Sequence, residues 1–326
     1  MFEKIRKNLV ISIAAGALIF LLLSVYADFE NVYASLSYFN WYYLPFLFLL
    51  SFSNYFFRFL KWHYYLNLLK IKVSLKESFY VFMTGLMMSL TPGKLGEVLK
   101  CYLIKERTGN PVSRTAPIIL AERITDFLSL VIISIIGAYI YGYGKSFIIV
   151  IGVIFIVLAV ILGNKNLLLV LVKSVSRIKI LNKYMNKLLQ AYESTNNLLT
   201  FKPLVKMTLL SLPAWFFECY AMYLILNFYG ENISVMLASF TYSFSTIAGS
   251  VTMLPAGLGV TEGSLTFLLV LFGVNKGNAV GTTFIIRIVT LWFAIFTGVV
   301  FAFLYQKEFG KIKFDEIKKG EINEQL

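Results

Sequence analysis

The sequence predicts an all-α polytopic membrane protein with about six transmembrane helices and two re-entrant helical hairpins in an inverted repeat. Composition, the length of the apolar runs and a motif that occurs twice lead to this prediction. Of 326 residues, 58% are hydrophobic and only 14% are charged, whereas a soluble domain is nearer half apolar and one quarter charged. Several runs reach the roughly 20 residues that a helix needs to cross a bilayer. We therefore expect a single membrane domain over 1–326.

The charge balance is strongly basic, at +13. Nucleic-acid binders are also basic, but here the lysines and arginines flank apolar spans. The positive-inside bias and contact with anionic inner-leaflet lipids explain such a pattern better. Cys101 and Cys219 lie on separate segments without the spacing of metal ligands. The sequence thus predicts no nucleic-acid partner, no cofactor and no metal, and it leaves a homo-oligomer open.

The expected spans cover about 8–26, 41–60, 113–141, 146–162, 204–228 and 278–305. Arg58 and Lys61 are interpreted as marking the cytoplasmic exit of the second span, and only Lys145 and Lys276 fall on predicted outer loops. This bias predicts cytoplasmic N- and C-termini in the cell (plasma) membrane. An amphipathic cytoplasmic linker is expected over about 164–202, with a solvated linker helix as the alternative. A basic cytoplasmic tail follows over 306–326.

Two apolar segments are each interrupted by the same pattern of helix breakers. Ser89-Leu-Thr-Pro-Gly-Lys-Leu-Gly-Glu97 is repeated by Met253-Leu-Pro-Ala-Gly-Leu-Gly-Val-Thr-Glu262, and their Pro, Leu and Gly positions align at one constant offset. We expect repeat one over about 78–141 and repeat two over about 235–305. Three predicted crossings separate the hairpins, and an odd number inverts the second copy. Broken helices at matching positions of inverted repeats point to a transport site.

Each copy is followed by a long apolar segment that contains one arginine, Arg123 or Arg287. Counted from opposite ends of their spans, both lie near half of a ~30 Å hydrocarbon core. An arginine at that depth costs at least about 2.5–3.5 kcal/mol and needs a partner. Glu122 and Asp126 are the local candidates for Arg123. Arg287 has no acid within four residues, so its partner must come from elsewhere in the chain or from a ligand.

The breaks place helix N-termini, with their free N–H groups and positive dipole ends, toward the membrane centre. Together with the two arginines and Lys94 they favour an anion such as phosphate. Glu97 and Glu262, in the first turns after the breaks, could receive an amine, a proton or a cation. The alternative is that the arginines only lock helices together and the breaks are kinks. No catalytic residue is predicted, and the candidate substrate-binding residues are Pro92, Gly93, Lys94, Gly96, Glu97, Glu122, Arg123, Asp126, Pro255, Gly257, Gly259, Glu262 and Arg287.

Four stretches resemble a known family: Thr91–Glu97, Ala121-Glu-Arg-Ile-Thr-Asp126, Leu254–Glu262 and Ile286-Arg287. They are similar to the flippase-like membrane domain of lysylphosphatidylglycerol synthases, here without the aminoacyl-transferase domain. Ala256 stands where a glycine is common in that family. The resemblance covers nearly the whole chain and implies an integral membrane protein that handles lipids.

From the residues and the resemblance together, we expect a lipid translocator. It would move an anionic or zwitterionic lipid, such as a phospholipid or a polyprenyl-phosphate carrier, between leaflets. The partner would then be a membrane lipid with a phosphate headgroup. The alternatives are an integral-membrane enzyme that modifies a lipid phosphate or glycolipid, and a regulatory subunit that transports nothing.

Overall fold

The computed structural model describes residues 2–91, 96–165 and 185–310, and every regular element within these ranges is helical. In chain order the α-helices are α1 (Phe2–Tyr26), α2 (Phe29–Tyr38), α3 (Leu44–Leu68), α4 (Leu75–Gly85), α5 (Val98–Thr108), α6 (Val112–Tyr141), α7 (Lys145–Gly163), α8 (Met185–Leu199), α9 (Phe201–Phe228), α10 (Val235–Val251), α11 (Val260–Leu271), α12 (Lys276–Arg287) and α13 (Phe293–Phe309).

Five helical stretches in the described ranges are long and apolar enough to cross a membrane: α3, α6, α7, α9 and the continuous α12–α13. A sixth is added if α1 and α2, which meet at a bend of 107°, count as one span. The all-α polytopic membrane fold predicted from composition is therefore confirmed. The segment between the first two predicted spans contains the helix α2.

The second span is longer than predicted, and this changes the position of two charges. The expected end was Leu60, but α3 continues to Leu68 because Trp62, Tyr65 and Leu66 extend its buried apolar surface. Arg58 and Lys61 consequently lie inside the protein, where the Lys61 side chain is only 1% exposed. Their interpretation as markers of a cytoplasmic exit was wrong.

Both interrupted segments are broken helices. In the first, α4 ends at Gly85, a 3-10 turn covers Leu86–Met88 and α5 begins at Val98. In the second, α10 ends at Val251, a 3-10 turn covers Pro255–Gly257 and α11 begins at Val260. Pro92, Gly93 and Lys94 lie outside the described residues. That each broken helix enters and leaves the membrane on the same face stays a prediction.

The first break packs closely against the last helix. A Cβ atom added at Gly298 of α13 would lie 2.1 Å from the backbone nitrogen of Met87. Such a distance leaves no room for any side chain, so only glycine permits this approach of two backbones. The contact fixes the 3-10 turn of the first break against α13.

The second break contains an alanine in a conformation that favours glycine. Ala256 has φ 53° and ψ 17°, in the left-handed region, and Gly257 follows with φ 67°. A left-handed residue with a Cβ costs roughly 1–2 kcal/mol. Glycine, which has no Cβ, would adopt this conformation without that cost.

Ala256→Gly is therefore expected to stabilise the folded protein by about 1 kcal/mol, since relief of the strain exceeds the added entropy of the unfolded chain. Thermal unfolding in detergent measures the effect. The matched control is Ala256→Val, which should lower the unfolding midpoint because a β-branched side chain tolerates this conformation least. Equal midpoints for the three proteins would contradict the assignment of strain.

The two largest apolar clusters of the described residues have a cavity between them. One cluster surrounds Trp62, Phe82 and Leu103, and the other surrounds Trp215 and Phe240. Within this arrangement α3 packs along α9, α6 contacts both α9 and α10, and α13 packs along α4. As a result, α3, α6, α9, α10 and α12 surround this cavity.

The predicted linker is helical in its described part. Helix α8 packs against α6 and α7, and it buries Tyr192, Leu198 and Leu199. Residues 166–184 of the linker and 311–326 of the basic tail lie outside the described residues. Association of α8 with the inner membrane surface stays a prediction.

Candidate anion-binding cavity

A cavity of about 350 Å³ lies between the two apolar clusters and is lined by three arginines. Arg58 comes from α3, Arg123 from α6 and Arg287 from the end of α12. Among the described residues of the lining, Glu218 of α9 is the only acid. The sequence predicted that Arg123 and Arg287 lie at a similar depth in the membrane, and both line this cavity. The excess of cationic side chains favours an anion there.

The second break is connected directly to Arg287. Arg287 Nε lies 2.6 Å from Glu262 Oε1, and its Nη2 donates a hydrogen bond of 3.0 Å to the carbonyl of Ala256. The other carboxylate oxygen, Glu262 Oε2, accepts from the backbone nitrogen of Gly259 at 2.7 Å. One carboxylate therefore satisfies the free N-terminus of α11 and positions the arginine. This is the distant partner that the sequence required for Arg287.

The first break makes the same pair. The Arg123 guanidinium donates to the Glu97 carboxylate in a direct ion pair. Glu97 is the N-terminal cap residue of α5 and also lies 3.6 Å from Lys100 Nζ. In both copies, then, the glutamate that follows the break pairs with the arginine of the next long helix. The same kind of Glu–Arg ion pair therefore occurs at both copies of the motif.

Glu122 and Asp126 were wrongly expected to be the partners of Arg123. Glu122 instead accepts a hydrogen bond of 2.8 Å from Lys100 Nζ, and this ammonium packs over the ring of Trp62 at 4.5 Å. Asp126 pairs with Lys61 of α3. Glu122 and Arg123 both pair with residues at the start of α5, whereas Asp126 pairs with a residue of α3.

Arg58 is a cavity residue that the sequence interpretation missed. Its Nε lies 3.8 Å from Asp126 Oδ2, and its guanidinium lies 5.9 Å from the centre of the Trp215 ring. The carboxylate of Asp126 also accepts a 3.0 Å hydrogen bond from Ser211. The aromatic and apolar residues after Leu60 were the available signal, because they indicate a helix that continues past Arg58.

Glu218 of α9 also lines the cavity. It is 6% exposed, and Glu218 Oε2 accepts a 2.7 Å hydrogen bond from the hydroxyl of Tyr242. Next to it, the Tyr55 hydroxyl donates to the carbonyl of Thr290 at 2.7 Å. Thr290 belongs to a π-helical segment, Ile288–Trp292, that begins directly after Arg287. Such segments occur frequently at functional sites.

Of the remaining predicted residues, those in the described ranges lie at or near the two breaks, and one of them lines the cavity. Gly257 lines it, Pro255 and Gly259 shape the second break, and Gly96 donates its backbone N–H to Thr91 Oγ1 at 2.8 Å. Within the ranges that the structure describes, no group of three His, Cys, Asp or Glu side chains is arranged to hold a metal ion. The chemistry that these residues support is recognition of a phosphate, whose oxygens guanidinium groups bind in a bidentate manner.

Comparison with known proteins identifies the family. Residues 9–298 match the family described as the lysylphosphatidylglycerol synthase TM region. A UPF0104 membrane protein of Methanocaldococcus jannaschii is 23% identical over 230 residues, which cover 67% of this chain and 94% of that protein. A second, from Pyrococcus horikoshii, is 25% identical over 267 residues, or 73% and 79% of the two chains. The chain therefore belongs to the family of the lysylphosphatidylglycerol synthase transmembrane region and is a multi-pass membrane protein.

Proposed function

We propose that the protein moves a lipid with a phosphate-bearing headgroup between the leaflets of the cell membrane. The observation that carries this proposal is the presence of three arginines, from three different helices, on the wall of one cavity inside a membrane protein. Buried cationic groups inside a membrane are costly and mark the path of a substrate more often than they serve packing. A phosphate entering the cavity would meet all three.

The rest of the wall suits a lipid better than a free phosphate ion. Leu120 and Phe127 of α6 and Phe155 and Leu158 of α7 line the same cavity. Only 22% of the most apolar stretch of α7 is buried within the protein, so most of its surface is available to lipid. The headgroup would occupy the arginine side while the acyl or isoprenyl chains remain outside the cavity along α6 and α7.

The proposal includes an orientation. Helices α6, α7 and α9, which separate the two breaks, are each long enough to cross the membrane. An odd number of crossings would make the first broken pair open toward the cytoplasm and the second toward the outside, with both termini cytoplasmic. Alternating access to one site from two inverted halves is the mechanism that such a topology supports.

Arg58→Gln is the single substitution that tests the cavity with the least structural damage, because Asp126 retains its ion pair with Lys61. Loss of a hydrogen bond to a charged group costs roughly 1.5–3 kcal/mol. We expect exchange of acyl-labelled phosphatidylglycerol between the leaflets of proteoliposomes, followed by dithionite quenching, to slow at least about tenfold.

The control is Lys76→Gln, which removes a cation that is 60% exposed and should leave the rate unchanged. Lipid extracts from the same vesicles are analysed by mass spectrometry, and an unchanged lipid is expected. The proposal would be refuted if vesicles with purified protein exchanged phosphatidylglycerol and a polyprenyl phosphate no faster than vesicles without protein.

A further inference from the structure

The cavity has an opening with an apolar edge. Four of the described residues that line the cavity are exposed: Leu120 of α6, Ser250 near the end of α10, and Met253 and Leu254 of the second break. Leu120 is 38% exposed, Met253 72% and Leu254 45%. None of the four is charged, and exposed apolar groups of this kind mark a surface that contacts a membrane. We call these four residues the mouth of the cavity, and they indicate that it opens toward hydrocarbon.

The mouth lies next to two of the cavity arginines. Leu120 precedes Arg123 by three residues on α6, so the two side chains share a face and lie about 4.5 Å apart along the helix axis. On the other side, Leu254 precedes Ala256 by two residues, and the carbonyl of Ala256 accepts a 3.0 Å hydrogen bond from Arg287 Nη2. A headgroup held by these arginines would therefore have the mouth directly beside it.

The second break gives its side of the mouth a defined backbone. Met253 has φ 54° and Ala256 has φ 53°, so two left-handed residues enclose Leu254 in a tight turn. The helices on both sides of this turn pack closely, because a Cβ atom added at Gly249 of α10 would lie 1.9 Å from Thr261 Oγ1 of α11. Met253 and Leu254 are therefore exposed from a turn that is held between two packed helices.

Two stacked rings fill the space between α6 and α7. The ring centres of Phe127 and Phe155 lie 4.1 Å apart with an angle of 12° between their planes, and both residues line the cavity. An aromatic stack that joins two neighbouring helices leaves little room for a chain to pass between them. The exposed lining residues instead place the opening at the edge of α6 that faces away from this stack or at the second break, where Leu120, Met253 and Leu254 are found.

We propose that the mouth is the site through which the hydrocarbon chains of the transported lipid leave the cavity, in contact with Leu120, Met253 and Leu254. The inference rests on the proposed function and adds the binding site of the chains. The ligand of this site is the part of an acyl or isoprenyl chain that lies nearest to the phosphate. With the phosphate at the arginines and the chains in the mouth, the headgroup changes sides while the chains stay in hydrocarbon throughout.

The experiment blocks the mouth after the protein has folded. Leu254→Cys and Leu120→Cys are purified in detergent, modified with pyrenyl maleimide and reconstituted, and the same proteins without modification are the reference. Exchange of acyl-labelled phosphatidylglycerol should fall in proportion to the modified fraction, which intact mass spectrometry measures. The native thiols of Cys101 and Cys219 are buried. The matched control is Val157→Cys, at a position of α7 that is 49% exposed and outside the cavity lining, where modification should leave exchange unchanged.

A second measurement uses the wild-type protein and keeps the test valid if the cysteine variants do not accumulate in membranes. Phosphatidylglycerol with a diazirine next to the acyl carbonyl should label the peptide that contains Met253 and Leu254 more strongly than the same lipid with the diazirine at the chain end. Undiminished exchange by fully modified Leu254→Cys and Leu120→Cys proteins, or equal labelling by the two lipids, would overturn the chain site and leave lipid exchange standing. Absence of exchange by the wild-type protein would instead refute the proposed function itself.

Discussion

Replacing Arg287 and Glu262 together by glutamine is expected to preserve the fold and to slow lipid exchange about 100-fold. Their charges contact one another at 2.6 Å, so removing both leaves no unpaired buried charge. The cavity nevertheless loses one of its three cationic donors, and a charged hydrogen bond is worth roughly 1.5–3 kcal/mol. If the pair served only to lock helices, the double variant would exchange lipid at the wild-type rate once folded.

The single variants separate structure from transport. Arg287→Gln alone leaves Glu262 buried with, among the described residues, only the N–H of Gly259 as a hydrogen-bond donor. This should destabilise the protein by roughly 3–5 kcal/mol. Arg123→Gln should cost less, because Glu97 retains Lys100 at 3.6 Å.

Yield, thermal unfolding and dithionite-monitored exchange are measured for the single variants, for Arg287→Gln/Glu262→Gln and for Arg123→Gln/Glu97→Gln. The matched control is Lys76→Gln/Glu308→Gln, which removes an ion pair whose members are 60% and 46% exposed. It should match the wild type in both stability and exchange. If Arg287→Gln and Arg123→Gln were equally stable, this would contradict the expectation that loss of Arg287 costs more stability than loss of Arg123.

Lys61→Met is expected to destabilise the folded protein by roughly 3–5 kcal/mol, which is the cost of removing one partner of a buried ion pair. Lys61 Nζ pairs with Asp126, donates to Ser211 at 2.8 Å and donates to Thr125 at 3.2 Å. Methionine has nearly the same length but leaves the carboxylate, among the described residues, with the Ser211 hydroxyl at 3.0 Å and the more distant Arg58 cation at 3.8 Å.

A double-mutant cycle measures this coupling. Asp126→Asn added to Lys61→Met should recover most of the lost stability, because the buried negative charge is then absent. Thermal unfolding followed by tryptophan fluorescence is suitable, since Trp62 and Trp215 are buried in the two apolar clusters. Lys76→Met at the exposed position serves as the control. A Lys61→Met midpoint no lower than that of the control would mean that the pair contributes nothing to folding.

Several features of the site could be predicted because they depend on local sequence. Pro255 and the adjacent glycines disfavour a continuous helix, and the second break occurs where they predict it. Arg123 and Arg287 were identified from their position in apolar runs, and both line the cavity. Arg58 was missed because the predicted span ended at Leu60, eight residues before the end of α3.

The partners of the buried charges could not be predicted in the same way. Asp126 lies three residues after Arg123 on α6, a spacing at which side chains can meet, yet Lys61 of α3 binds it instead. Glu218 was not among the predicted site residues, because nothing near it in sequence indicates that α9 faces the three arginines.

The membrane class, the broken helices, the family and the two arginines that follow the breaks can all be recognised in the sequence. Each of these follows from hydropathy, backbone chemistry or a motif, and all of them depend on a few neighbouring residues. Which acid binds which cation, and that Arg58 and Glu218 share the cavity, depends instead on how the helices pack. Adjacent residues of a helix point about 100° apart, so these partners depend on how α3, α6 and α9 rotate and pack against one another.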